Sequence, residues 1–304
     1  RSSDLQSQDN ESAGARYTQL QMNAQAAISA MELYEAFGET EYLSRGVSFA
    51  RILMACQASA VDPSFSIPLR GYFYENETHE RIQTYYHRSY EHAPIKAFAM
   101  LYRLAPEHED AARWKSSLEL YREYVALTSR TVPYGLLPNG IYELDNTDFS
   151  TITHEGARAA GAPSLEEYNA QVRNGIRLND RFYLRVFPVA YQFRGFHATL
   201  MGRALAAMEL ARALNDREIK QVAVRQMEWI LGCNPFAVSS MYGEGHDYHP
   251  LYAPMSPQLV GAVPVGFETF ENEDQPFYPM QNNAAYKEVW VHTTCRMMWL
   301  IAML

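Results

Sequence analysis

Cysteine is scarce in this chain of 304 residues: Cys56, Cys233 and Cys295 are all it has. Their number is odd, and no CxxC or Cys/His ligand spacing accompanies them. That excludes a disulfide framework and a zinc motif. Basic charge is also short, with 26 Lys+Arg against 35 Asp+Glu and a formal net charge of −9. This balance excludes the basic footprint of a nucleic-acid binder. No apolar run reaches the ~18 residues that a membrane-spanning helix needs. No charged–apolar–small leader opens the sequence. The chain starts at Arg1 and stops inside the apolar run 297–304, so both ends read as cut, as in a processed or trimmed protein.

What is present is apolar and aromatic. Hydrophobic residues make up 47%, enough for a sizeable core, and 21 Tyr and 14 Phe stand against 4 Trp. Many of the tyrosines lie near Pro and Gly. Flat rings with a polar tip suit wet, partly apolar ligands such as sugars, and they also pack well beneath long loops.

Apolar spacing of period 3.6 recurs along the chain. Residues 17–37 carry Leu20, Ala24, Ala27, Ile28, Met31, Leu33 and Tyr34 at helical spacing, with Gly38 as the stop. A second helix is predicted over 40–55, and so short a connection makes the two an antiparallel hairpin. Further helices are predicted over 92–104 and 109–129, over 194–214 and 216–231, and from Asn283 to the end. Asp216 is the expected N-cap of its helix. Long irregular segments, 57–91, 131–182 and 232–282, separate the pairs. They are too aromatic for disorder, and loops gathered on a helical scaffold are where sites are built. The expected fold class is therefore all-α. One domain over 1–304 would be the C-terminal portion of an (α/α)6 barrel, a six-hairpin toroid whose missing N-terminal helices would precede Arg1.

The chemistry-bearing residues concentrate in WILGCNPFAVSSMYGEGHDYHP (229–250) and NNAAYKEVWVHTT (282–294). The first presents Glu244, His246, Asp247 and His249 just past a helix end. The second places Glu288 and His292 at i and i+4, on one face of the predicted last helix. LGCNPFAVSSMYGEG resembles the LGxNP…S…GxG segment of glycoside hydrolase family 9, and LVGAVPVG (259–266) is similar to the family's LVGGP-like stretch. The resemblance is clear over the last quarter of the chain. It implies an (α/α)6 fold, a glycosidase acting on an oligo- or polysaccharide, no cofactor, and a periplasmic or secreted bacterial location. It also implies that Glu288 is the general acid and that His246 and His249 contact sugar. The HHR triplet and the DAGD-like pair of water-activating aspartates are absent. The Tyr-Asn pair that follows the family's glutamate is replaced by His292-Thr293-Thr294.

Glycoside cleavage needs one carboxyl to protonate the leaving oxygen and a second to activate water or attack carbon. Glu288, flanked by Tyr286, Val289 and Trp290, fits the first role. The bland alternative is a glutamate favoured by a helix N-terminus. For the second carboxylate the candidate is Asp9, with Glu11 beside it. The alternative there is a frayed polar terminus. Tyr248, Trp290 and His292 offer further sugar contacts. In YYHRSYEHAP (85–94), His92 and Arg88 are candidates for substrate binding. Arg88 and Arg181, with Arg177 nearby, would suit a uronate, because a guanidinium matches a carboxylate in two-point contact. Surface ion pairing is the competing account of each arginine. His246, His249, His292 and Asp247 match neither HExxH nor a zinc ribbon, so no metal site is expected. A uronide-specific hydrolase or lyase, or a non-catalytic glycan-binding scaffold, stays open beside the hydrolase.

Overall fold

In the computed structural model, α1 (Gln19–Phe37) begins where Thr18 closes a capping box with Gln21 and ends at Gly38, whose φ of 73° is left-handed. The residues described are 18–85, 90–146, 164–189, 195–252, 258–269, 273–278 and 284–304. Leu20, Ala24, Ala27, Ile28 and Met31 of α1 are buried against α2 (Thr40–Ala55) and α3 (His92–Leu104). Gly46 lets α1 and α2 approach closely: a Cβ there would lie 2.6 Å from the Met31 sulfur.

The same hairpin plan repeats. α3 is joined to α4 (Ala111–Thr131) through residues 105–110. After a short polar helix α5 (Leu165–Arg173), α6 (His197–Leu214) turns at left-handed Asn215 into α7 (Arg217–Ile230). Asp216 caps α7, accepting from the Glu218 and Ile219 amides. Nearly every residue of α6 is buried, the mark of a helix surrounded on all sides.

One sequence expectation is corrected. The last helix is interrupted: a single turn α8 (Ala284–Lys287) precedes α9 (Val291–Ala302), and Glu288 lies in the break. The reason is tertiary, because Val289 forms a β-bridge with Pro264. The helical class expected from sequence holds for most of the described residues, and short strands stand beside it. Strands β1 (Gly140–Glu143), β2 (Ile176–Arg177) and β3 (Phe182–Arg185) form an antiparallel sheet in the order β1-β3-β2, and β4 (Glu268–Thr269) pairs with β5 (Pro276–Phe277). The protein is mostly helical with short strands in its loops.

α1, α3, α6 and α9 pack side by side in that order, with α2 against α1, α4 against α3, and α7 against α6. Lys96 pairs with Glu32, and Arg103 with Glu35. These pairs advance the same way along α1 and α3, so the two helices run parallel. Glu91 and Lys96 of α3 face Arg203 and Glu209 of α6 in the same sense. The helix starts in this row therefore share one end, and chain direction brings the long connections to that end and the short turns to the other. A single apolar cluster from Leu20 to Met303 fills the space between the layers.

Candidate functional site

At the loop end, the segment 262–267 lies between the start of α6 and the start of α9. It is buried throughout. One edge pairs with the stretch before α9: Val265 N–H donates to Glu288 O at 2.9 Å, and Gly266 N–H to Tyr286 O at 2.7 Å. The Glu288 backbone is thus fixed on a buried ledge while its side chain is half-buried. The Trp290 indole N–H donates to Glu288 Oε2 at 2.8 Å. The Trp290 ring in turn stacks on His292, centroids 5.0 Å apart and planes 28° from parallel. The helical i, i+4 relation expected of Glu288 and His292 is therefore replaced by Trp290 standing between them.

His249 is buried edge-on against Tyr278 at 4.2 Å. Burial lowers its pKa, the Lys287 charge adds to this and Asp247 opposes it, so the imidazole favours the neutral form. Lys287 is itself fully buried, which lowers its pKa. It holds the loop through Tyr252 N–H donating to Lys287 O at 3.0 Å. His246 and Asp247 are exposed. Tyr248 is exposed as well, its ring meeting Tyr242 edge-on at 5.2 Å.

The other candidates lie apart. Arg181 forms an ion pair with Glu143 and lies over Phe182, and Arg177 pairs with Asp180. His92 is buried under Trp299. Desolvation takes its pKa down to about 3, with Arg296 and Lys96 pushing the same way. Asp9 and Arg88 lie outside the described residues. Among the described residues no cluster of three or more His, Cys, Asp or Glu could hold a metal ion, and no helix is long and apolar enough to cross a membrane.

To Glu91, which the sequence places with His87, Arg88 and His92 in the 85–94 segment, the structure adds partners that the sequence did not single out. Glu91 is buried next to Tyr121, Tyr124, Tyr85 and Arg203. Burial raises its pKa to about 8 although the Arg203 charge and a Tyr121 hydrogen bond pull the other way. Arg203 donates to Asn139 Oδ1 at 2.7 Å. Asn139 ties Tyr142 and the Tyr85 carbonyl to the same point. Arg185, fully buried, bonds Gln171 O at 2.5 Å and faces Asp274 at 3.5 Å. Asp274 accepts from Val186 and Phe187 N–H. The pairs Arg203–Asn139, Asn139–Tyr85 and Arg185–Asp274 lie more than 50 residues apart in sequence, so no local pattern announces them. His197 is fully buried with both ring nitrogens engaged.

No known protein-family profile matches the chain, and no curated protein matches it either. Solved structures do align with it. The cellulase Cel9M of C. cellulolyticum aligns at 15% identity over 92% of this chain and 49% of its own, TM-score 0.47. A Bacteroides ovatus GH9 protein aligns at 14% identity over 93% of this chain and 40% of its own, TM-score 0.49. Endoglucanase CelQ from Clostridium thermocellum, complexed with cellotriose, aligns at 16% identity over 95% and 62%, TM-score 0.32. The chain spans about half or less of the length of the first two. With TM-scores below 0.5, these likenesses leave the site to be read from its own geometry.

Proposed function

We propose that this chain is part of a glycoside hydrolase in which Glu288 is the proton-donating carboxyl, and that its row of helices is an arc of a helical toroid with the substrate at the loop end. The observation that carries this is the break before α9. It places a half-buried carboxyl at the loop end, its backbone pinned by Val265 and its oxygen held by the Trp290 indole. Trp290 and His292 supply flat aromatic surface beside it. In this reading Glu288 protonates the glycosidic oxygen as the bond breaks. A second carboxylate, for which Asp9 is the candidate, activates water on the opposite face of the sugar. A carboxyl separation of roughly 6.5–9.5 Å would give inversion. The polymer or oligosaccharide substrate lies outside the cytoplasm, so the enzyme is periplasmic or secreted.

The pairing of Arg181 with Glu143 and of Arg177 with Asp180 favours a neutral sugar over a uronate, since both guanidiniums already face carboxylates. The test is hydrolysis of aryl glycosides and plant or algal polysaccharides, with and without uronic acids, by the full-length enzyme. A cleaved neutral glycoside supports the reading. Turnover restricted to uronides moves the assignment to a uronide-specific enzyme, and binding without turnover moves it to a glycan-binding scaffold.

A further inference from the structure

The Glu288 ledge has a second edge. His197, the first residue of α6, is fully buried, with Nδ1 3.1 Å from Pro264 O. Its Nε2 accepts from Phe267 N–H at 3.4 Å. A carbonyl at one nitrogen and an N–H at the other fix the neutral Nδ1–H tautomer. Backbone bonds reinforce the seam: Phe196 N–H donates to Phe267 O at 2.8 Å and His197 N–H to Val265 O at 3.0 Å. The closeness demands glycine. A Cβ on Gly266, where φ is +85°, would lie 2.0 Å from the imidazole, and one on Gly195 would lie 2.3 Å from Gly266 O. From the α9 side, Thr293 Oγ1 donates to Val263 O at 2.6 Å.

We infer that His197 and Thr293 are positioning residues: together they clamp segment 263–267, and that segment sets where Glu288 stands. The inference rests on the glycosidase reading of Glu288. Neither residue touches substrate. Each acts through backbone within two residues of Val265, whose N–H bonds the Glu288 carbonyl, so loss of a clamp displaces the carboxyl without removing it. A misplacement of about 1 Å in a catalytic group can cost ~100-fold in rate.

The experiment compares His197→Met, which keeps volume but loses donor and acceptor, with His197→Gln, which keeps one of each. Both are assayed on the aryl glycoside that the wild-type enzyme cleaves. The Met variant is expected to lose ~10- to 100-fold in kcat with KM within about threefold, and the Gln variant to recover most of that loss. A folded Met variant with wild-type kcat overturns the inference, as does a Gln variant that falls as far as Met. Should the Met variant fail to fold, Thr293→Val releases the same segment from α9. The same fall in kcat is expected, and an unchanged kcat overturns the inference. A readout without substrate is the Trp290 contribution to fluorescence, taken as the difference between each protein and its Trp290→Phe counterpart. It is expected to shift to the red in the Met variant and not in the Gln variant, and an unshifted spectrum in a folded Met variant counts against the clamp. Failure of the glycosidase reading looks different: Glu288→Gln would then turn over normally, whatever the clamp variants do.

Discussion

The two ends of the helix row are built by different means. At the short-turn end, connections are tight and each ion pair has an exposed arginine as one partner. Asn215 and Asp216 turn α6 into α7, Arg122 pairs with Asp216, and Arg51 reaches Asp110. At the loop end, charge is buried. Glu91 lies beside Arg203, which bonds Asn139 next to β1, Arg185 meets Asp274, and the segment carrying the Glu288 ledge is locked between two helix starts. Exposed pairs contribute little because water screens them. Buried charges need their partners, because a lone one costs several kcal/mol. The contrast teaches that short turns suffice to fold the hairpins, whereas the loop end holds its shape by polar bonds that only the assembled tertiary structure supplies. Such preorganisation is what a site for acid catalysis requires.

That contrast can be broken by substitution. The largest effect on stability is expected from Gly266→Ala, which drives a methyl into the His197 ring at a left-handed position. A loss above about 5 kcal/mol is expected in urea unfolding, beyond the usual range of single substitutions. Next is Arg185→Ala, which strands Asp274 in a buried site and cuts the tie to Gln171. The expected loss is about 3–5 kcal/mol, and a loss below ~1 kcal/mol would show that the loops do not depend on this pair. The smallest is Asp216→Ala at the short-turn end, where a lost N-cap costs about 1 kcal/mol. If it equals Arg185→Ala, the two ends are not built differently.

Stability against pH sharpens the same comparison. Glu91 has its folded pKa raised to about 8 from 4.5, so its favourable contribution is fully present below about 4.5 and is lost as pH rises through about 8. His92 and His197 have folded pKa values lowered to about 3 from 6.5. Their contribution is present above about 6.5 and lost as pH falls toward 3. Stability should therefore fall away on both sides of near-neutral pH. Glu91→Gln should flatten the alkaline side only, so that its urea midpoint relative to wild type rises between pH 5 and 9. Parallel profiles for the two proteins would contradict a buried, proton-holding Glu91.

The hairpins were legible in the sequence because their signals are local. Apolar spacing and Gly38 delimit α1, and the bounds of α2 and α3 coincide with those read from spacing alone. The break before α9 was not legible. AAYKEVWVHTT has continuous helical spacing, and only pairing of Val289 with Pro264, 25 residues earlier, diverts it. Helix α5 was hidden because its exposed face is polar and its segment lies within a long loop. Of the proposed site, Glu288 was singled out through its motif and its aromatic flank. Its supports, Val265, His197 and Thr293, were not, since each acts through backbone contacts that spacing does not encode. The same holds for Glu91, whose neighbour Arg203 lies on another hairpin.

The most direct measurement is hydrolysis of the glycoside panel by wild type and by Glu288→Gln under the same conditions. A loss of at least ~100-fold in kcat, with the variant folded, is the expected result for a general acid. Equal hydrolysis by the two proteins would contradict the assignment and make Glu288 a structural residue of the break before α9.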